Sequence, residues 1–509
     1  MPTAESGLDP PCNFCGLHSP HRPASLNHHS PSRASVKRDP FRLTRRIYDV
    51  AVIGGGIYGI SVARDAALRG LSVAVVEKAD FGGATSSNHQ RIIHGGLRYL
   101  QHADLRRMRE SIRERSILLR IAPHLVNVLP FVVPTYRNVT QRRLLMAVAL
   151  AANDLVSLDR NHGLEPHKKI PRGRMLSKPE CLRIWSSLDT TELTGGALFY
   201  DAQVYDTNRL NLALLFSAAE AGAEFVNYVE TTGFLREGAA VMGVQVKDVL
   251  SGAEFPIQAR MTVNCAGPWV DRVLELLDDK WSNRPSKMTN ELLKSVVLVT
   301  RSLVQNVGVG IPGKSTYIDG DAVFKKGYRY FFITPERDRS LVGTFQTPHA
   351  GDPDELAVSE DEIREFIFEI NSAFDTGILK RKDVHALLCG LVPSAAGGND
   401  ERVQLRKRYE IRDHEREDGI HGLLSIAGVK YTTARAVAQK VVDVVLKKLR
   451  RKFVRCQTGD IAAVGGRVGC FEEFSHQALK TKPKGVSQET LHHLLRAYGS
   501  EYQTILKYC

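Results

Sequence analysis

Long apolar runs are absent from this 509-residue sequence, and the longest candidate covers only Leu144–Ala152. A helix needs roughly 20 apolar residues to cross a bilayer, so no spanning helix is predicted. A secretory signal is also missing, and the eight cysteines are scattered along the chain. That pattern favours a reducing compartment over a disulfide-bonded secreted fold, which indicates a cytoplasmic location.

Acidic residues are outnumbered by basic ones, and the formal net charge is +13. Such an excess suits nucleic acid, an anionic membrane surface or an anionic substrate. The helix expected after Asp104 carries arginines on one face but lacks interleaved aromatic residues, so we interpret that face as solvated surface and expect no nucleic-acid partner. Apolar residues make up 43 % of the chain, which is typical of a globular protein.

Residues 1–46 hold seven prolines, with seven Lys and Arg against three acidic residues, and this composition predicts a disordered basic extension. Cys12, Cys15, His18 and His21 within it carry groups that suit zinc. Their spacing is shorter than in zinc fingers and no apolar residues could pack around a metal, so incidental residues are favoured over a metal site. A cleaved targeting peptide is another alternative, although the acidic residues argue against it.

A dinucleotide-binding pattern occupies residues 48–77. A β-branched strand runs into the turn Gly54-x-Gly56-x-x-Gly59, and a helix follows. Gly54 permits unusual backbone angles, Gly56 leaves room for a pyrophosphate, and Gly59 lets the helix lie close to the strand. The second strand ends at Glu77, whose carboxylate can accept hydrogen bonds from both hydroxyls of an adenosine ribose.

The segment after Glu77 is rich in small and hydroxyl-bearing residues. Thr85, Ser86 and Ser87 could donate hydrogen bonds to the phosphates of a long cofactor. Gly95-Gly96 follows His94 directly, which suggests backbone that runs close to a flat group. The alternative is a glycine loop with a buried, hydrogen-bonded histidine.

At this point residues 48–136 closely resemble the FAD-dependent glycerol-3-phosphate dehydrogenase family, within the flavoprotein group that includes D-amino acid oxidase. The resemblance implies an FAD cofactor and an α/β fold, with a Rossmann-type FAD-binding domain, an antiparallel-sheet substrate domain and a partial helical C-terminal cap. It continues more thinly to the C-terminus. The matching runs are Val-Ile-Gly-Gly-Gly-Ile at 52–57, Thr85-Ser86-Ser87, His94-Gly95-Gly96-Leu97-Arg98-Tyr99-Leu100 and Ala122-Pro123-His124-Leu125.

Together with the β-rich pattern of residues 294–347, the resemblance suggests a division of the chain. A core helix is favoured for residues 142–150, with an amphipathic segment that touches lipid as the alternative. The predicted parts are a disordered extension (1–46), the FAD-binding domain in three pieces (47–136, 201–293 and 401–452), a connecting helical segment (137–200), a substrate domain (294–400) and a short helical cap (453–509).

The resemblance also implies oxidation of sn-glycerol 3-phosphate to dihydroxyacetone phosphate, with hydride transfer to the flavin and electrons passed to a quinone. His94 would be the base, because an unperturbed imidazole titrates near neutral pH. Arg98 and Arg329 would orient the anionic substrate. Tyr99 would line the pocket, and Lys430 would stabilise negative charge beside the flavin.

Further cofactor contacts are expected at Gly95, at Gly267 and in the loop that carries Lys430 and Thr432. Arg329 alternates with Phe331 and Ile333 on a predicted strand, so it needs an anion or a structural ion pair. The expected partners are a small anionic substrate, a quinone or other electron acceptor, the inner face of a membrane as a peripheral contact, and a second copy of the chain.

Two departures from the family pattern concern the substrate. Leu303 stands where family members carry a histidine, and Val392 stands where they carry an arginine. Losing a bidentate phosphate contact costs about 1.5 to 3 kcal/mol of binding free energy. An FAD-dependent oxidase or dehydrogenase of another hydroxy or amino compound is therefore the alternative function. A flavoprotein-derived scaffold without turnover is a second alternative.

Overall fold

The computed structural model describes residues 37–508 except 138–142, 278–286, 290, 319–325, 375–376 and 396–404, and only the backbone of 314–318 and 326–329. Two large sheets organise this part of the chain, with helices packed against both. Residues 1–36, which include the two cysteines and two histidines considered for zinc, lie outside the described residues, so the predictions made for them stay predictions. Within the described ranges, no group of three or more His, Cys, Asp or Glu side chains could hold a metal ion.

The first sheet has eight strands, and its central five are parallel, in the order β7-β2-β1-β10-β17. Parallel strands buried on both faces read as continuous apolar runs, and all six residues of β1 are buried. The strands of this sheet are β1 (Tyr48–Ile53), β2 (Val73–Glu77), β7 (Glu224–Asn227), β8 (Val229–Glu237), β9 (Ala240–Asp248), β10 (Glu254–Asn264), β16 (Glu410–Asp413) and β17 (Leu423–Ala427).

The second sheet has nine strands and is antiparallel except where β12 meets β4. The order of its main path is β15-β11-β14-β13-β12-β4-β6-β3, and β5 pairs with β6. Its strands are β3 (Ile92–Ile93), β4 (Val126–Tyr136), β5 (Arg174–Leu176), β6 (Leu193–Val204), β11 (Leu292–Arg301), β12 (Gly308–Ile318), β13 (Lys326–Glu336), β14 (Arg339–His349) and β15 (Val384–Pro393).

The helices cover the sheets. Apolar residues of α1, α5 and α9 form one core with β1 and β2, and α7 packs on the second sheet. The described helices are α1 (Ile57–Leu68), α2 (Leu105–Ile121), α3 (Arg143–Val156), α4 (Lys178–Ile184), α5 (Thr207–Glu220), α6 (Val270–Glu275), α7 (Glu360–Asn371), α8 (His414–Asp418), α9 (Ala434–Lys448), α10 (Phe471–Lys480), α11 (Gln488–Tyr498) and α12 (Tyr502–Leu506).

The second sheet begins earlier in the chain than the sequence suggested. β4 and β6 lie entirely outside residues 294–400, yet they pair with each other along their whole length inside this sheet. β4 contains Pro130 and Pro134, which weaken a strand prediction because proline cannot donate to the ladder. The division of the chain into domains stays a prediction, while the strand pairing shows that both sheets draw on its first half.

The core-helix interpretation of residues 142–150 is wrong. In α3 only Leu150 is fully buried, whereas Leu144, Val148 and Leu155 are exposed on one outer face. On α2, Arg106, Arg109 and Arg113 are exposed, in agreement with the predicted solvated face. Arg115 lies instead on the apolar side, in line with Met108, where it is buried and pairs with Asp201. No helix in the described part of the chain is long and apolar enough to cross a membrane.

Candidate functional site

The glycine turn after β1 is tightly packed. Gly54 has a φ of +96°, and a Cβ there would lie 2.7 Å from the Cys265 carbonyl oxygen. A Cβ on Gly59 would lie 1.9 Å from the Gly54 carbonyl oxygen, so α1 can approach β1 only with glycine at that position. At Gly56 the nearest atom to a Cβ would be the Ser86 hydroxyl, at 3.1 Å. Gly54 and Gly56 also border a cavity, so one side of the turn stays open.

A cavity of about 970 Å³ opens on that side, between the two sheets. Its volume lies at the upper end of the range typical of small-molecule sites, about 300 to 1,000 Å³. It is therefore large enough for an extended cofactor and a small substrate. The sequence-predicted site residues that line it are Gly54, Gly56, Glu77, Thr85, Ser86, His94, Arg98, Tyr99, Gly267, Lys430 and Thr432.

Glu77 lines the cavity at the end of β2. One carboxylate oxygen accepts a hydrogen bond from the Gly55 amide at 2.7 Å, and the other accepts from the Ala79 amide at 2.9 Å. These bonds hold the side chain beside the glycine turn. Each carboxylate oxygen can accept more than one bond, so capacity remains for ribose hydroxyls.

The hydroxyl-bearing segment splits into two groups. Ser86 accepts a hydrogen bond from the Ile57 amide at 2.9 Å, which places its hydroxyl at the N-terminus of α1. Thr85 donates to the Leu391 carbonyl at 3.0 Å and thereby ties the segment to β15. Ser87 bonds the Gly82 carbonyl and Asn208 and does not line the cavity. Thr85 and Ser86 are therefore brought to the site, and Ser87 is not.

Tyr99 is flanked by two cations at one end of the cavity. The Lys430 ammonium lies 4.2 Å from the centre of its ring, and the Arg107 guanidinium carbon lies 4.1 Å from it. Burial and the charge of Arg107 lower the pKa of Lys430 to about 7. The lysine can therefore gain or lose its proton near neutral pH.

His94 lies in the same positively charged surroundings. Burial and the charges of Lys430, Arg115 and Arg107 lower the pKa of its imidazole to about 3. The expectation of an unperturbed imidazole at this position is wrong for the free protein. His94 is neutral at pH 7, so it can accept a proton, but neighbouring cations weaken it as a base.

Contacts with Asp201 and Arg115 hold the loop that carries His94. The Gly95 amide donates to Asp201 at 2.6 Å, and Arg115 forms an ion pair with that same carboxylate. A Cβ on Gly95 would lie 2.4 Å from an Arg115 nitrogen. Gly95 thus serves close packing and does not line the cavity, while Arg98 does line it and is exposed. The Arg329 side chain lies outside the described residues.

Three functional candidates are missing from the sequence-based predictions. Tyr58 donates to the Lys430 carbonyl at 2.8 Å and accepts from its amide at 3.2 Å, which fixes the lysine loop. Arg107 belongs to an arginine face that the sequence pattern assigned to solvent. His89 lines the cavity, and its buried Nε2 atom has no hydrogen-bond partner within the described residues. The sequence signal that could have identified His89 is its position two residues after the Thr85-Ser86-Ser87 segment.

The parallel sheet, the glycine turn and the cavity beside them define a dinucleotide-binding α/β protein. A family model described as "FAD dependent oxidoreductase" matches residues 49–443. The chain belongs to this family of FAD-dependent oxidoreductases, and within the family it is similar to glycerol-3-phosphate dehydrogenases. Its cofactor is FAD.

Named relatives match over most of their length. A "Glycerol-3-phosphate dehydrogenase" of Synechocystis sp. is 32 % identical over 464 residues, covering 90 % of this chain and 80 % of the relative. An "Aerobic glycerol-3-phosphate dehydrogenase" of Staphylococcus epidermidis is 30 % identical over 480 residues, covering 92 % and 81 %. The solved glycerol-3-phosphate dehydrogenase of Bacillus halodurans in complex with FAD is 25 % identical, with a TM-score of 0.68 and coverage of 92 % and 78 %.

The cavity fits an FAD molecule. The glycine turn suits a pyrophosphate, since both Gly54 and Gly56 border the cavity and neither carries a side chain. Ser86 and His89 line the same cavity, where a hydroxyl and an imidazole suit the polar atoms of the cofactor. Gly54, Gly56, Ser86 and His89 would therefore hold the cofactor.

Proposed function

We propose that the protein oxidises sn-glycerol 3-phosphate to dihydroxyacetone phosphate and passes the electrons to a quinone. The observation that carries this proposal is the cationic end of the cavity, where Arg107 and Lys430 flank Tyr99. An anionic substrate would be stabilised at this end of the cavity, in the same cavity that the glycine turn borders. The names of the relatives support glycerol 3-phosphate among anionic alcohols.

The bound flavin supplies the hydride acceptor for such a reaction. His94 would accept the proton of the substrate hydroxyl at a ring nitrogen. An anion between the neighbouring cations would offset the charges that lower its pKa, so substrate binding would make it a stronger base. Lys430 would stabilise negative charge that develops on the substrate oxygen.

Anaerobic mixing of the purified yellow protein with a small substrate panel tests the proposal. We expect glycerol 3-phosphate to bleach the flavin absorbance faster than glycerol, hydroxy acids or amino acids at equal concentration. Bleaching by an unphosphorylated compound alone would contradict it. Protein that cannot be loaded with FAD would instead favour the scaffold without turnover.

The alternative function keeps one specific observation in its favour. Val392 lines the cavity, so the arginine expected there is absent from the site itself. Leu303 packs against the core of the second sheet and does not line the cavity, so its replacement of a histidine affects the site less directly. The argument that the protein oxidises another hydroxy or amino compound therefore depends on Val392.

A quinone acceptor would require contact with a membrane, and α3 supports that contact. Leu144, Val148 and Leu155 are 76 %, 59 % and 69 % exposed and share one face at helical spacing. Arg143 begins the helix and is exposed beside them. An apolar face with a basic residue at one end suits a peripheral position on an anionic bilayer.

Cosedimentation with vesicles tests this contact. We expect the wild type to bind vesicles that contain anionic lipid, and the double variant Leu144→Ser/Leu155→Ser to lose most of that binding. The control is Phe368→Ser, an exposed apolar residue on α7. Unchanged binding by the double variant would contradict the role of α3. A concentration-dependent dimer that the double variant abolishes would show that a second copy covers this face instead.

A further inference from the structure

The arginine that the family pattern places at position 392 has no counterpart there, yet another arginine reaches the same cavity. Arg107 lies in the first turn of α2, whose N-cap is Asp104. Both Val392 and Arg107 line the cavity, the first from β15 in the second sheet and the second from α2. Arg107 thus places its guanidinium in the cavity from α2, a helix whose arginines the sequence pattern assigned to solvent.

The position of Arg107 is well defined. One of its terminal nitrogens donates to the Lys407 carbonyl at 3.0 Å, and its guanidinium stacks over the Tyr99 ring. The side chain is only 11 % exposed. Its buried Nε atom has no hydrogen-bond partner in the described part of the chain, and the Asp104 carboxylate is 3.7 Å away, too far for a hydrogen bond.

The charges around Arg107 are not balanced. Burial and Arg107 lower the pKa of Lys430 to about 7, although Glu110 and Asp104 act in the opposite direction. Arg107 also contributes to the lowered pKa of His94. Asp201, the other carboxylate of this end, is already paired with Arg115. Glu110 and Asp104 also pair with Lys440 and Arg408. The cluster therefore holds five cations, Arg107, Arg115, Arg408, Lys430 and Lys440, against these three carboxylates, and an anion bound there would relieve the repulsion.

We propose that Arg107 binds the phosphate of the substrate and replaces the arginine that the chain lacks at position 392. The inference rests on the proposed function for the identity of the anion. Arginine suits this task because its planar guanidinium can donate two parallel hydrogen bonds to a phosphate. Tyr99 and the Lys407 carbonyl orient the group, and Lys430 adds a second positive charge beside the same tyrosine ring.

The test compares Arg107→Leu and Arg107→Lys with Arg106→Leu, an exposed arginine on the same helix that does not line the cavity. We expect Arg107→Leu to lower kcat/KM for glycerol 3-phosphate about ten- to a hundred-fold more than it lowers the value for glycerol. Arg107→Lys should recover part of the loss because it keeps the charge. Arg106→Leu should match the wild type for both substrates.

A binding measurement separates this inference from the proposed function. The dissociation constant of inorganic phosphate, followed by the change in FAD absorbance, should rise in Arg107→Leu by a similar factor and stay constant in Arg106→Leu. If the wild type binds phosphate through Arg107 but does not oxidise glycerol 3-phosphate, the proposed function fails and the anion site stands. Equal losses with both substrates, loss of FAD, or unchanged phosphate binding would each overturn the role of Arg107.

Discussion

Lys430 is a cavity-lining ammonium group whose charge changes near neutral pH. Its pKa is lowered to about 7, so it is mostly charged below that pH and mostly neutral above it. Since its proposed role needs the charge, kcat/KM for an anionic substrate should fall above about pH 7, by up to tenfold per pH unit. Lys430→Arg should move this decline to higher pH because arginine stays protonated. A decline at the same pH in that variant would assign the titration to another group.

His89 offers a second test, directed at the cofactor. Its ring lines the cavity, so we expect it to contact the cofactor. Replacing His89 with Phe enlarges the ring and removes its polar nitrogens, so the dissociation constant of FAD should rise by about one order of magnitude. Equilibrium dialysis followed by flavin fluorescence measures this constant. The control is His385→Phe, an exposed position on β15, and an equal effect there would contradict a direct contact.

The buried pair Arg115–Asp201 joins α2 to β6 beneath the loop that carries His94. Arg115 also donates to the Tyr200 carbonyl at 2.8 Å, and Asp201 holds the Gly95 amide. Arg115→Leu leaves a buried carboxylate without its partner, so the free energy of unfolding should fall by about 3 to 5 kcal/mol. Denaturant unfolding of the FAD-loaded protein measures the loss. The double variant Arg115→Leu/Asp201→Leu should recover part of it, and no recovery would mean that the pair is not the cause.

The elements differ in how far local sequence defines them. β1 and α1 were predictable because their pattern is local: an apolar run, a glycine turn and a helical period follow one another directly along the chain. β4 escaped prediction because its prolines argue against a strand and its long-range partner β6 supplies the pairing. The role of Arg107 depends on a fold that brings α2 beside the Lys430 loop, and no local signal reports that contact.

His124, in the turn between α2 and β4, packs against the C-terminal segment. Its ring is 1 % exposed and lies against Gly465 and Gly499, where added Cβ atoms would come within 2.7 Å and 2.9 Å of it. Burial and the nearby charges of Arg209 and Lys168 lower the pKa of His124 to about 3. The folded protein therefore holds a neutral imidazole between two parts of the molecule.

This arrangement should make the whole molecule sensitive to acid. An unfolded histidine has a pKa near 6.5, so between about pH 6.5 and pH 3 the unfolded chain binds a proton that His124 in the folded chain does not. The stability contribution is complete above pH 6.5 and falls by about 1.4 kcal/mol per pH unit as pH decreases. His124→Gln should therefore show a shallower fall of the thermal unfolding midpoint between pH 6.5 and 4.5 than the wild type. The exposed His162→Gln should keep the wild-type slope, and equal slopes in all three proteins would mean that acid acts elsewhere.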